Sequence, residues 1–273
     1  MIFCCPICKQ KLEIQADKTA KCANRHSFDR AKEGYYHLLL PSGRGVHGDD
    51  RRMVDARRAF LSFGHYAPLA DLVASYALRL TPRGGTLLDA GCGDGYYTDR
   101  IQRGLCAAGA EVAVCGFDIS RDAVRRAAKR NPSLSLAVAG SYHIPMADGA
   151  IDTVVDLFSP LADREFHRVL KKDGVFLMAI PAEDHLFELK AAIYETPYRN
   201  EPKDPAIAGF DLLASERLTY PMRLAGREEI AALFGMTPYA YRTSAEGVER
   251  LRALDRLTVQ ADFLLFAYRK HVL

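Results

Sequence analysis

From Thr86 onward, short apolar runs alternate with stretches in which apolar residues recur every three to four positions. The first pattern predicts buried strands and the second amphipathic helices. Read this way, the chain predicts strands at 86–90, 111–117, 134–138, 151–157 and 174–180, with helices at 95–107, 120–130 and 161–171. Alternation of this kind implies a parallel sheet covered by helices on both faces. Ser120 and Asp122 stand where an N-cap belongs, and Pro132 closes the helix they open. Upstream, 51–61 and 69–80 carry the helical period, separated by His65-Tyr66-Ala67-Pro68. Downstream, a short helix at 186–193, a helix at 228–234 and strands at 218–224 and 262–268 complete the expected fold. It is α/β, a mostly parallel seven-stranded Rossmann-like sheet with an antiparallel edge strand.

One stretch organises the rest: LLDAGCGDGYYT at 87–98. An apolar strand ends in Asp89, glycines follow at Gly91, Gly93 and Gly95, and a helix-compatible run begins. Glycine serves such a loop because the backbone takes turn conformations closed to other residues and approaches a ligand closely. Dinucleotide loops use a related spacing, with the third glycine one residue later. A second apolar strand ends at Asp118, where a carboxylate can accept both hydroxyls of a ribose. Loop and acid together resemble the first two motifs of S-adenosylmethionine-dependent methyltransferases. Ile119 beside Asp118, Asp89 at the strand tip and Tyr66 ahead of the sheet join them as candidate cofactor contacts.

The chain has 273 residues, enough for a core that 49% hydrophobic content can fill. No apolar run approaches the roughly 20 residues that span a bilayer, and the N-terminus lacks a signal pattern, so a cytoplasmic protein without a membrane partner is expected. A net charge of +3 permits a polyanionic partner without demanding one. The seven cysteines change the picture more. Cys5-Pro6-Ile7-Cys8 and Cys22-Ala23-Asn24-Arg25-His26 form two short knuckles, so Cys5, Cys8, Cys22 and His26 supply the tetrahedral sulfur and nitrogen set that zinc prefers. A reduced, metal-free cluster is the plainer alternative, and Cys4 is the spare thiol. Cys92, Cys106 and Cys115 read as packing residues.

These features divide the chain into a zinc-ribbon-like module at 1–42, a glycine-rich linker at 43–50 and an α/β domain at 51–273. A strand at 35–40 is expected to close the module as a small sheet of its own. The 51–61 helix carries Arg51, Arg52, Arg57 and Arg58, which are either a solvated face or a phosphate-contacting one. After the third strand of the α/β domain, Ser141 and His143 are placed to read an adenine edge, although His143 reads equally as a surface histidine. Residues 182–215 hold several prolines and are expected to form a lid or substrate-side insert.

The whole chain resembles the bacterial large-subunit (23S) ribosomal RNA guanine-N1 methyltransferases, which join a zinc module to a Rossmann-like methyltransferase domain. The matching stretches run from end to end: CPIC with CANRH, FDRAKEGY, DARRAFL, GHYAPL, LDAGCGDGYYT, GFDIS, YPMRL and GMTPYAY. The resemblance implies Zn2+ on the four ligands named above, S-adenosylmethionine on the glycine loop and Asp118, a hairpin of 23S ribosomal RNA as substrate, and a homodimer. Its branches modify different guanines.

Methyl transfer mainly requires alignment of acceptor, methyl and sulfur. Guanine N1 carries a proton at neutral pH, so a base is also required. Asp156, ending the fourth strand as Asp156-Leu157-Phe158-Ser159-Pro160, is the carboxylate best placed by sequence, ahead of His65 and His143. The segment lacks the Asn/Asp-Pro-Pro-aromatic pattern of exocyclic-amine enzymes. Phe158, Tyr66 and Tyr97 are candidate aromatic faces for a base or the sulfonium. Two other readings stay open: a small-molecule methyltransferase whose zinc module docks a protein, and a non-catalytic RNA adaptor.

Overall fold

The computed structural model describes residues 1–40 and 50–271. Apart from Asp50, the expected linker at 43–50 lies outside the described residues. Strands β5 (Thr86–Ala90), β6 (Ala113–Asp118), β7 (Ser135–Val138), β8 (Ile151–Leu157) and β9 (Leu170–Pro181) form the parallel centre. Between them run helices α3 (Tyr96–Ala107), α4 (Arg121–Arg130) and α5 (Asp163–Val169), preceded by α1 (Arg51–Ser62) and α2 (Ala67–Leu80). Strands β10 (Phe210–Leu224) and β11 (Leu257–Lys270) are far longer than expected, and β11 pairs antiparallel with both β9 and β10. Helices α6 (Phe187–Ile193), α7 (Arg227–Gly235) and α8 (Ala245–Arg252) complete the domain.

The central strands are apolar without alternation because both faces of a parallel sheet are covered. Leu87 faces a core with Phe60, Leu69, Val73, Ile101 and Val124, under α1 to α4. Leu88, one residue on, faces the other core with Phe117, Phe166, Phe176 and Tyr268. That second core also takes in Phe3, Cys5, Leu12, Ala20 and Cys22 of the N-terminal module. The module is therefore one of the layers that cover the sheet.

Its own sheet is minimal: β1 (Glu13–Ile14), β2 (Ala20–Lys21) and β3 (Ser27–Phe28), two residues each. The strand expected to close it does something else. As β4 (Tyr36–His37) it pairs in parallel with β7, Tyr36 opposite Ala137 and His37 opposite Val138. The sheet order is β10-β11-β9-β8-β5-β6-β7-β4, eight strands instead of seven. No helix among the described residues is long and apolar enough to cross a membrane.

Candidate cofactor and zinc sites

A cavity of ≈ 940 Å³ opens at the C-terminal ends of β5, β6 and β8. Open α/β sheets bind ligands in this crevice, where the strand order reverses. The glycine loop forms its floor. Gly91 N and Cys92 N both donate to Phe117 O at 2.9 Å, pinning the turn to β6. A Cβ on Gly91 would sit 2.6 Å from Ser159 Cβ, and one on Gly95 would sit 2.9 Å from Ala127 Cβ, where α3 starts against α4. Both positions also have positive φ, at 82° and 79°, so any side chain would clash and strain the backbone. Gly93 lines the cavity, and nothing would meet a Cβ there. Asp118 closes the loop from the other strand, accepting from Gly93 N at 3.0 Å and Ser120 N at 2.7 Å.

Ile119, Ser141 and His143, candidates on sequence grounds, line this cavity with Asp118. Ser141 and His143 sit on a short 3-10 turn. Four other candidates are placed differently. Gly95 shapes the helix start instead of the wall. Asp89 is buried behind the loop, where Thr98 Oγ1 donates to it at 2.5 Å. Burial pushes its carboxyl up to about 7, with Asp156 and Asp118 adding to the rise. Tyr66 is a core residue off the cavity wall: it is 5% exposed, crosses Phe60 and Phe263 edge-on, and shares a 3.2 Å hydrogen bond with His185 Nε2. The 182–215 segment contributes no lining residue either.

Asp156 is the fourth, and its geometry bears on chemistry. Its carboxylate is 1% exposed and lies behind Ser159, whose hydroxyl donates to Oδ1 at 2.5 Å and whose amide donates at 3.2 Å. Oδ2 is buried with no hydrogen-bond partner. Burial pushes the carboxyl up to about 6. Ser159, unlike Asp156, lines the cavity. Phe158 beside it has φ 63° and presents its ring 43% exposed, tilted against Tyr97 and Phe263. Strain in a non-glycine residue that exposes a ring at a strand tip is a feature of functional sites.

Sequence reasoning misses most of the opposite wall. Cys4, Cys5, Pro6 and Lys9 of the module line the cavity, as do Leu38, Leu39 and Leu40, and Met53, Val54 and Arg57 of α1. Exposed Tyr142 and Tyr241 stand at it too. No local pattern in the chain signals these contacts, because they join segments far apart in sequence, as Cys4 N does with Pro145 O.

The module also assembles the expected metal ligands. The donor atoms of Cys5, Cys8, Cys22 and His26 all lie within 4.8 Å of one another. His26 offers Nδ1, 3.5 Å from Cys5 Sγ and 3.4 Å from Cys22 Sγ, while Cys8 Sγ lies 3.6 Å from Cys22 Sγ. A tetrahedron with Zn–S of about 2.3 Å and Zn–N of about 2.0 Å has edges of about 3.5 to 3.8 Å. The donor set and its spacing therefore fit zinc. Without metal the thiols are driven apart in acidity: the Gln10 amide draws Cys8 down to about 6, while burial raises Cys5 to about 11.

Comparison with known proteins agrees with this geometry. A family model described as "RlmA, N-terminal", a zinc ribbon, matches residues 3–42, and a "Methyltransferase domain" model matches 82–226. A 23S rRNA (guanine(748)-N(1))-methyltransferase of Streptomyces fradiae is 32% identical over 95% of this chain and 94% of its own. YxjB of Bacillus subtilis (strain 168), provisionally named a 23S rRNA (guanine-N(1)-)-methyltransferase, is 31% identical over 97% of this chain and 96% of its own. Among solved structures, the YcgJ protein of Bacillus subtilis superposes with a TM-score of 0.51 at 15% identity. It covers 74% of this chain and 98% of that one, which shows the fold alone. With a zinc ribbon at one end of the cavity, a methyltransferase glycine loop at the other and likeness along nearly its whole length, the chain belongs to the 23S rRNA (guanine-N(1)-)-methyltransferase family.

Proposed function

We propose that this chain transfers a methyl group from S-adenosylmethionine to N1 of a guanine in a hairpin of 23S ribosomal RNA. The observation that carries the reading is the likeness over 95% of the chain, zinc module included, to a protein named for that reaction. Bound S-adenosylmethionine supplies a methyl on a positively charged sulfur, already a strong electrophile. The chain's own task is to bind, orient and take a proton.

Gly91, Gly93 and Asp118 hold the cofactor, with Ile119, Ser141 and His143 along the same wall. Phe158, Tyr142 and Tyr241 present exposed rings at the cavity, the kind of surface on which an unpaired base stacks. Drawing a guanine out of a hairpin costs a few kcal/mol, and such rings offset it. For the N1 proton, the reading uses Ser159 and Asp156 in series. Ser159 Oγ accepts the proton as its own passes to Asp156 Oδ1. A carboxyl near 6 is ionised at neutral pH yet basic enough to hold that proton briefly. A cytoplasmic homodimer completes the reading, as the family resemblance implies.

Methyl transfer to unmodified 23S RNA, mapped by primer extension, tests it. N1 methylation blocks base pairing, so a new reverse-transcription stop at a hairpin guanine is expected. Incorporation of label without any such stop would refute the N1 assignment.

A further inference from the structure

We infer that the zinc cluster is a working wall of the cofactor cavity: metal held by Cys5, Cys8, Cys22 and His26 sets how tightly the chain holds its nucleoside cofactor, acting through Cys4 and loop 140–146. The inference rests on the reading above for the identity of the ligand. It goes beyond that reading by joining two sites that the sequence presents as separate.

The joint is visible on both sides of the metal knuckles. Cys4, one residue before the first ligand, donates its amide to Pro145 O at 2.7 Å. Cys4 and Cys5 line the cavity together with Ser141, His143 and Ile144. Downstream of the last ligand, β4 pairs with β7, and Leu38 N donates to Val138 O at 2.9 Å, two residues before Gly140 opens the loop. The loop is thus gripped at its entry by β4 and near its exit by Cys4. Between them, Ile144 packs in the same apolar cluster as Phe3, Cys5 and Cys22.

Another set of contacts bounds the size of the effect. From α5, Glu165 Oε2 accepts from Ile144 N at 2.7 Å, while Arg168 donates to Ile144 O at 2.9 Å and Met146 O at 2.8 Å. These hold when the module lets go, so the loop loosens without collapsing. The module's own sheet is only three strands of two residues, so its knuckles rely on the metal for their geometry even though Phe3 and Leu12 are packed into the domain core. Loss of metal therefore loosens the Cys4 contact and the β4 pairing together.

The test uses the full-length chain and S-adenosylhomocysteine as the probe, with affinity read by calorimetry. Stripping zinc with a chelator should weaken binding about tenfold, the equivalent of one lost buried hydrogen bond. Unchanged affinity in the metal-free chain would overturn the inference. Cys4→Pro separates the link from the metal, since it deletes the amide donor and leaves all four ligands. It should bind the probe more weakly while retaining its zinc, and Cys4→Ala, which loses a wall side chain but keeps the N–H, should bind the probe more tightly than Cys4→Pro does. Parent affinity in Cys4→Pro would also overturn the inference. Coupling is reciprocal, so the probe should tighten zinc retention against a chromophoric chelator by the same factor. Zinc retention indifferent to the probe would count against the coupling. A zinc-loaded parent that fails to bind S-adenosylhomocysteine at all would instead refute the cofactor reading.

Discussion

The two edges of the sheet are built on opposite terms. At one edge, β10 and β11 run 15 and 14 residues and pair along nearly their whole length. A long antiparallel ladder on a covered core is self-supporting. At the other edge, β4 offers two residues to β7, and behind it stands a module built around a four-residue ligand set. The edge that carries cofactor-cavity residues is the fragile one. A binding wall built at the less stable margin of a fold is open to control by whatever stabilises it.

The largest break in this comparison is metal removal. Structural zinc sites supply on the order of 10 kcal/mol of apparent binding energy, all of it coupled to folding. Chelation should therefore release the amides of residues 1–40 and of β7 to fast hydrogen exchange while β9 and β11 stay protected. Mass-spectrometric exchange on the intact chain reads both edges at once. Equal protection at the two edges after chelation would show that the module folds without its metal.

The opposite edge has its own weak point, and it is electrostatic. Asp262 on β11 is fully buried and accepts from Arg217 Nε at 2.8 Å, Arg217 Nη2 at 2.6 Å, Thr219 Oγ1 at 2.8 Å and Asp184 N at 3.2 Å. Arg217→Ala leaves this carboxylate buried without a cation, at a cost of about 3 kcal/mol in urea unfolding. Adding Asp262→Asn should recover much of the loss, because the stranded charge is gone. Zinc content should not change in either variant.

A third effect lies between the edges, under the glycine loop. Burial holds Asp89 near 7 and Asp156 near 6, both above the unfolded carboxyl value of about 3.9. The folded chain then binds more protons than the unfolded one between those values. Stability is full at low pH and falls as pH rises through the folded pKa of each group. Over that range the loss is on the order of 4 kcal/mol for Asp89 and 3 kcal/mol for Asp156. Asp156→Asn should flatten that slope in pH-dependent melting. A stability curve of unchanged slope would mean the Asp156 carboxylate, buried with Oδ2 lacking a hydrogen bond, is not held as the structure shows.

How much of this was legible depended on distance along the chain. The glycine loop, Asp118 and the zinc knuckles are local devices in which ligand or turn geometry fixes the spacing, so the residues announce themselves. The α/β alternation is equally local. Tyr66 lies in the core off the cavity wall because its surroundings, Phe263 and His185, come from segments more than 100 residues away. Asp156 was correctly placed at the strand end, but the backward turn that hides it behind Ser159 depends on Phe158 taking a positive φ. The strand at 35–40 was recognised and its partner was not. A two-residue strand carries no register information, and only the exposed edge of β7 decides where it pairs.

The smallest expected effect concerns the arginine helix, where local composition left two readings open. Arg58 on α1 is exposed, whereas Arg57 lines the cavity and is half-buried. Asp55, on the same helix, is already paired with Arg126 of α4. The helix is therefore part cavity wall and part solvated face, and single substitutions separate the two. Arg58→Ala should lower the salt slope of hairpin binding by about one unit at most, with melting temperature and S-adenosylhomocysteine affinity unchanged. Arg57→Ala should move cofactor affinity or melting temperature as well, because a wall residue is lost. If Arg58→Ala binds the hairpin with the parent's salt dependence, the outer face of α1 is a solvated surface. Phosphate contacts would then fall to the lysines of the zinc module, and RNA binding would depend on the metal as the cofactor wall does.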